Sequence, residues 1–117
     1  MRDRRQGDRL SMRLNLSYVI AGSQKMGKAL TADISATGVR FTAEHPLSPG
    51  DRVEVAVRVP DRRDPIRFVG EVVWSRPHRL GDPTLTGPGS DVGVRVATID
   101  PKDQALLTQY AVFYRTD

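Results

Sequence analysis

The chain has 117 residues, 38% of them apolar and 27% charged, with 10 Gly, 8 Pro and no Cys. That length supports one domain and leaves little room for a second. Without Cys there is no disulfide framework, no thiolate zinc site and no Cys nucleophile, and His45 and His78 lie far apart without acids at ligand spacing, so no metal site is expected. Met1–Arg13 carries five Arg and two Asp, and no apolar run of the signal-peptide kind comes after it. No stretch approaches the roughly 20 apolar residues of a membrane span. A reducing, cytoplasmic setting is expected.

The formal net charge of +4 is unevenly spread. Residues 1–40 hold eight Lys/Arg against three acids, a balance of +5, whereas residues 41–117 hold ten against eleven, a balance of −1. Fifteen of the eighteen bases are Arg, whose planar fork pairs bidentately with phosphate or with the O6/N7 edge of guanine. The charge alone fits either an anionic, guanine-bearing partner or a solvated basic tail.

Met1–Arg9 lacks apolar periodicity and is expected to be a flexible arm, with residues 10–117 forming the folded domain. From Leu10 the sequence alternates strictly: Leu10, Met12, Leu14, Leu16, Tyr18 and Ile20 share one face, which predicts a long half-buried strand. Gly22-Ser23-Gln24 reads as a turn. A second strand is predicted over Lys28–Ile34, with Leu30, Ala32 and Ile34 facing one way, and a short third over Val39–Thr42. Pro46–Asp51 is dense in turn residues. Arg52–Val59 then alternates with Val53, Val55, Val57 and Val59 inward. Ile66–Ser75 is predicted to be a strand at least partly covered on both faces, since Phe68, Val72 and Trp74 oppose Val69 and Val73. Pro77–Ser90, with three Gly and three Pro, is expected to be a loop, and Asp91–Ala97 the last strand.

Only the end reads as helical. Asp100 suits the N-cap, Pro101 the first helical position and Asp103 the positive end of the dipole. Leu106, Leu107, Tyr110, Ala111, Phe113 and Tyr114 recur at helical spacing, giving a helix over about 100–115. The prediction is an all-β fold: a small six-stranded antiparallel β-barrel with an N-terminal arm and a C-terminal α-helix. Closure removes the exposed edges of so small a sheet.

Two patterns are not explained by a barrel. Arg5-Gln6-Gly7-Asp8-Arg9 is an Arg-x-x-x-Arg just before the first strand, and Asp33-Ile34-Ser35-Ala36-Thr37-Gly38 is an Asp-x-Ser-x-x-Gly at a strand end. In a strand, Asp33 and Ser35 share the face opposite Ile34. Gly38 frees the backbone to turn sharply and leaves no Cβ to obstruct a ligand. Taken locally, Asp33 and Ser35 equally suit capping of the adjoining turn by their own side chains.

In this order, on either side of a first strand, the two motifs resemble the signature of the PilZ family, the bacterial receptors for cyclic di-GMP. The resemblance extends over most of the chain, through Pro46–Val53, Gly70–Trp74 and Asp91–Val96. It implies a receptor whose arm folds over the bound second messenger. Arg5 and Arg9 would pair with phosphates and guanine edges, Asp33 would accept from a guanine N–H, Ser35 would add a hydroxyl contact and Gly38 would admit the ligand. Arg4, immediately before the first motif, implies a mutually intercalated pair of cyclic di-GMP molecules, two per domain. Trp74 either stacks on a guanine or is buried on the Phe68 and Val72 face. The ligand-ordered arm would then signal to a downstream protein that the sequence does not identify.

Other functions fit less well. No P-loop, Rossmann loop or Ser/His/Asp arrangement is present, so no enzyme and no cofactor beyond the ligand are expected. Small basic barrels also bind single-stranded nucleic acid, but such proteins stack bases on several aromatics, and of the seven aromatics here three belong to the predicted helix. A nucleic-acid partner is therefore not expected. A ligand-independent protein-interaction module is the remaining alternative, and retention of the signature argues against it.

Overall fold

A computed structural model describes residues 14–60, 62–77 and 89–114, with side chains in the last helix described as far as Ala111. The elements are β1 (Asn15–Ile20), β2 (Met26–Ser35), β3 (Gly38–Ala43), β4 (Arg52–Val57), β5 (Ile66–Pro77), β6 (Ser90–Thr98) and α1 (Pro101–Tyr114). The strands close into an antiparallel barrel in the order β1-β2-β3-β6-β5-β4. The expected fold class is correct. The predicted arm over 1–9 and the first residues of the predicted first strand, 10–13, lie outside the described residues.

Period-two alternation builds most of the wall, because each strand must bury one face and solvate the other. Leu14, Leu16 and Tyr18 point inward from β1 and its lead-in, Val39, Phe41 and Ala43 from β3, Val53, Val55 and Val57 from β4, and Val92 and Val94 from β6. The connection from β3 to β4 crosses one mouth of the barrel. Gly50 takes a φ of 97° there, and Leu47 is buried beneath the crossing, its N–H donating to Ser90 Oγ at 3.0 Å and its carbonyl accepting from Ser75 Oγ at 2.7 Å. Helix α1 packs against β2 and β5, with Leu107 and Tyr110 joining the core. Asp100 caps it as expected, Oδ1 accepting from the Lys102 N–H at 2.9 Å.

Three expectations need correction. On β2, Leu30 is 47% exposed and Ala32 is exposed, whereas Thr31 and Ile34 are buried. The pairing with β3 steps from Thr31↔Phe41 to Asp33↔Arg40, so Ala32 is an extra, bulged residue that reverses the parity of the strand. On β5 the pairing steps from Val72↔Val94 to Trp74↔Gly93, so Val73 is bulged and 48% exposed and Trp74 leaves the face of Phe68 and Val72, while Val69 is partly covered as expected. The loop expected over 77–90 begins one residue later and ends one earlier, because Pro77 and Ser90 still pair across β5 and β6. Residues 78–88 lie outside the described residues.

Tyr18 is the polar pin of the core. It is wholly buried and sits opposite Gly27, where any Cβ would meet its hydroxyl. Its Oη accepts from the Glu44 N–H at 3.0 Å and lies 2.8 Å from His45 Nδ1, tying β1 to the end of β3. Removing that hydroxyl strands both partners, so Tyr18→Phe should lower stability by about 1–2 kcal/mol in urea titrations. Burial raises the phenol above its ordinary value of 10.0, so the folded chain keeps this proton after the unfolded chain has released it. Stability from this source is complete below the unfolded value and declines as pH climbs through the raised one. As pH rises above 10.0 the wild type should therefore lose stability more steeply than Tyr18→Phe.

Candidate ligand-binding site

The two bulges place a groove of about 340 Å³ on the outer face of β2, β3, β6 and β5. Before the bulge on β2 the inward residue is Thr31; beyond it Ile34 points in, and Asp33 and Ser35 point out. Before the bulge on β5 the inward residue is Val72; beyond it Trp74 lies opposite Gly93, whose flanking Val92 and Val94 are both in the core. Parity continued from Thr31 and Val72 would have turned Asp33, Ser35 and Trp74 the other way.

The cross-strand register sorts the outward residues into two rows. Asp33, Arg40, Gly93 and Trp74 succeed one another across β2, β3, β6 and β5; Ser35, Gly38, Arg95 and Glu71 form the next row. In the first row Arg40 Nη2 lies 3.8 Å from Asp33 Oδ2, a loose pair whose side chains are half-exposed or more. In the second, Arg95 Nη2 donates to Glu71 Oε1 at 2.6 Å, a short charge-assisted bond. Asp33 and Glu71 thus stand at opposite corners of the two rows, each with an arginine on the adjoining strand.

Each row is opened by a glycine. A Cβ on Gly93 would run into the Trp74 indole, which lies across it on the outside of the barrel. Trp74 is partly exposed, does not belong to the core, and carries Arg76 with its guanidinium carbon 5.1 Å from the ring centroid. The predicted alternative of a Trp buried with Phe68 and Val72 is therefore incorrect: the bulge at Val73 separates Trp74 from their face. A Cβ on Gly38 would run into the backbone carbonyl of Val94. Close approach of β3 to β6 thus explains Gly38, which does not adopt a positive φ.

The hairpin between Ser35 and Gly38 is held by its own side chains and by the helix. Ser35 Oγ accepts from the Thr37 N–H at 3.2 Å and lies 3.2 Å from Thr37 Oγ1, the local bonding expected of Ser beside a turn. Gln104 Nε2 of α1 donates to the Ala36 carbonyl at 3.0 Å, and the Val96 N–H of β6 to the Thr37 carbonyl at 2.8 Å. The motif is anchored from two sides, so its acceptors are presented on a fixed edge. The Asp33 carboxylate faces Arg40 across the strand pair, away from the turn.

The structure brings together Asp33, Ser35, Gly38 and Trp74. Arg4, Arg5 and Arg9 lie outside the described residues. Two groove residues, Arg40 and Arg95, do not emerge from the sequence as site residues. A signal for Arg40 is present: Asp33 and Arg40 flank the Ser35–Gly38 turn, so fixing the hairpin sets them opposite. Nothing local marks Arg95, which arrives from the far end of the chain. Among the described residues no group of three or more His, Asp or Glu is placed to hold a metal, and no helix is long and apolar enough to cross a membrane.

The PilZ domain model matches residues 3–113, and the chain belongs to that family. Two solved structures share the fold. The inhibitor of motility MotI/DgrA from Bacillus subtilis matches with a TM-score of 0.63 and 21% identity over 87% of this chain. The PilZ domain of YcgR from Escherichia coli, solved with c-di-GMP, matches with a TM-score of 0.64 and 13% identity over 86% of this chain. The chain spans 46% of the motility inhibitor and 81% of the YcgR domain. No curated protein is significantly similar in sequence.

The glycines give the site a direct test. Gly38→Ala forces a Cβ against backbone and should cost about 1–3 kcal/mol of stability in thermal or chemical denaturation. Gly93→Ala meets only a side chain, so the fold should survive while the indole swings outward. Trp74 is the one Trp of the chain, and its emission should shift to the red in Gly93→Ala; an unmoved spectrum would contradict the packing described.

Proposed function

We propose that this chain is a cyclic di-GMP receptor that grips its ligand between the groove and the N-terminal arm. The observation that carries the reading is the first row of the groove. Asp33 stands outward on an anchored edge with, among the described residues, a loosely held cation beside it, in a chain whose family match spans both motifs. A carboxylate in that setting accepts from guanine N–H groups, and Ser35 adds a hydroxyl two residues on. Trp74 supplies an aromatic face at the other end of the row, suited to stacking on a base.

The phosphates call for cations, which the arm supplies. The chain enters the barrel at Leu14, whose N–H donates to Thr31 Oγ1 at 3.0 Å and whose carbonyl accepts from the Thr31 N–H at 2.8 Å. Thr31 is two positions from Asp33 in β2, so Leu14, to which the arm is joined through residues 10–13, is held near the acidic end of the groove. Arg9 is five residues upstream of Leu14, a reach of at most about 18 Å. Arg5 and Arg9 then pair with phosphate oxygens and guanine edges, and Arg4 supports a second, intercalated ligand. Arm residues drawn over the ligand form a surface that a downstream protein reads, the ordering cost being met at binding. This is a binding function, and no reaction is assigned to the chain.

Calorimetry with cyclic di-GMP tests the reading. The wild type should saturate at two ligands per chain with a Kd below the tens of micromolar, and Arg5→Ala and Asp33→Ala should each weaken binding by about tenfold or more, the loss of one charge-assisted hydrogen bond or two. Saturation at one ligand would overturn the intercalated pair alone. No binding by a folded wild type would overturn the receptor.

A further inference from the structure

We propose that Arg40, which belongs to neither motif, is a specificity-determining residue of this groove and reads guanine together with Asp33. The inference rests on the receptor reading above and concerns which base the site accepts.

Arg40 projects outward from β3 directly opposite Asp33, between the carboxylate and Gly93, over which the Trp74 indole lies. Its Nη2 lies 3.8 Å from Asp33 Oδ2, beyond hydrogen-bond reach, and the two side chains are 49% and 64% exposed. An exposed pair of this kind contributes little to stability, so the fold gives little reason for it. The other groove arginine is differently placed. Arg95 is engaged by Glu71 at 2.6 Å, whereas Arg40 has donors to spare.

Side by side, the guanidinium and the carboxylate offer a donor next to two acceptors along one edge. Guanine presents the complement: O6 accepts, and the adjoining N1–H and N2–H donate. Arg40 donating to O6 while Asp33 accepts from N1–H and N2–H pairs every group on that edge. Adenine presents an amino donor where guanine has O6 and a bare acceptor where guanine has N1–H. Against this pair it would set donor on donor and acceptor on acceptor, leaving desolvated groups unpartnered, which is where large discrimination comes from. Asp33 alone favours guanine; Arg40 adds the O6 reading and penalises the adenine amino group.

The test compares the full chain with Arg40→Met and Arg40→Lys for binding of cyclic di-GMP, cyclic di-IMP and cyclic di-AMP. Inosine keeps O6 and N1–H but lacks the N2 amino group. Arg40→Met should weaken cyclic di-GMP and cyclic di-IMP by about the same factor, roughly 10-fold or more for a charged hydrogen bond. Cyclic di-AMP should change by less than about threefold or bind better, and Arg40→Lys, which keeps a cationic donor, should recover part of the loss. Equal losses for all three ligands would reduce Arg40 to a general phosphate attraction and overturn the inference. So would wild-type binding of cyclic di-GMP that Arg40→Met leaves unaltered, with the receptor reading intact. A wild type that binds none of the three would instead overturn the receptor reading, and this inference with it.

Discussion

Two extra residues decide where the chemistry of this barrel faces. Ala32 on β2 and Val73 on β5 each stand unpaired opposite a neighbouring strand, and each reverses the inside-outside parity of the residues beyond it. Without the first, Asp33 and Ser35 would point into an apolar interior, where an unpaired carboxylate is prohibitively costly to keep charged. Without the second, the Trp74 indole would compete for space with Phe68 and Val72. The bulges therefore convert what would be core positions into one outer groove. They flank it on both sides, β2 at one edge and β5 at the other.

The groove's shape comes from what is missing between those edges. Gly38 and Gly93 remove side chains from the two central strands, β3 approaches β6 closely at the first, and the indole lies across the second. Charge is arranged along the same rows. The short Arg95–Glu71 bond is satisfied within the wall, while the long Arg40–Asp33 pair leaves both partners able to turn to another group. The Gln104 bond to the Ala36 carbonyl ties the motif turn to the helix, so helix packing and the position of Asp33 and Ser35 are linked. Thr31, buried at the last position before the bulge, accepts from the Leu14 N–H, where the described chain begins. Acid and helix consequently meet at one end of β2.

Local chemistry is legible from the residues. Strict alternation marks the inward faces of β1 and β4, and Asp100-Pro101 marks the start of α1 to the residue. Asp33 and Ser35 read correctly as outward because they share a face with each other and oppose Ile34 whatever happens upstream. The bulges are not legible. Neither Ala32 nor Val73 is a Gly or Pro, and each sits in a run that reads as continuous, so the pattern sends Leu30 and Ala32 inward with Ile34 and leaves Trp74 between two faces. Gly38 reads as a turn residue, whereas its close neighbour is the Val94 carbonyl of a strand more than fifty residues away. Arg95 reaches the groove by the same long-range pairing, which no local pattern records. The arginines of Arg-x-x-x-Arg are marked by motif alone and lie outside the described residues.

In the proposed receptor, the outward rows created by the bulges form the floor on which a guanine dinucleotide rests. Amide and indole N–H chemical shifts of the folded chain, monitored by nuclear magnetic resonance as cyclic di-GMP is added, report on that floor residue by residue. The largest changes should map to Asp33, Ser35, Arg40, Gly93 and the Trp74 Nε1–H, with the opposite wall of β1 and β4 little affected. Changes centred on β1 and β4, or none on the two rows at saturating ligand, would contradict it.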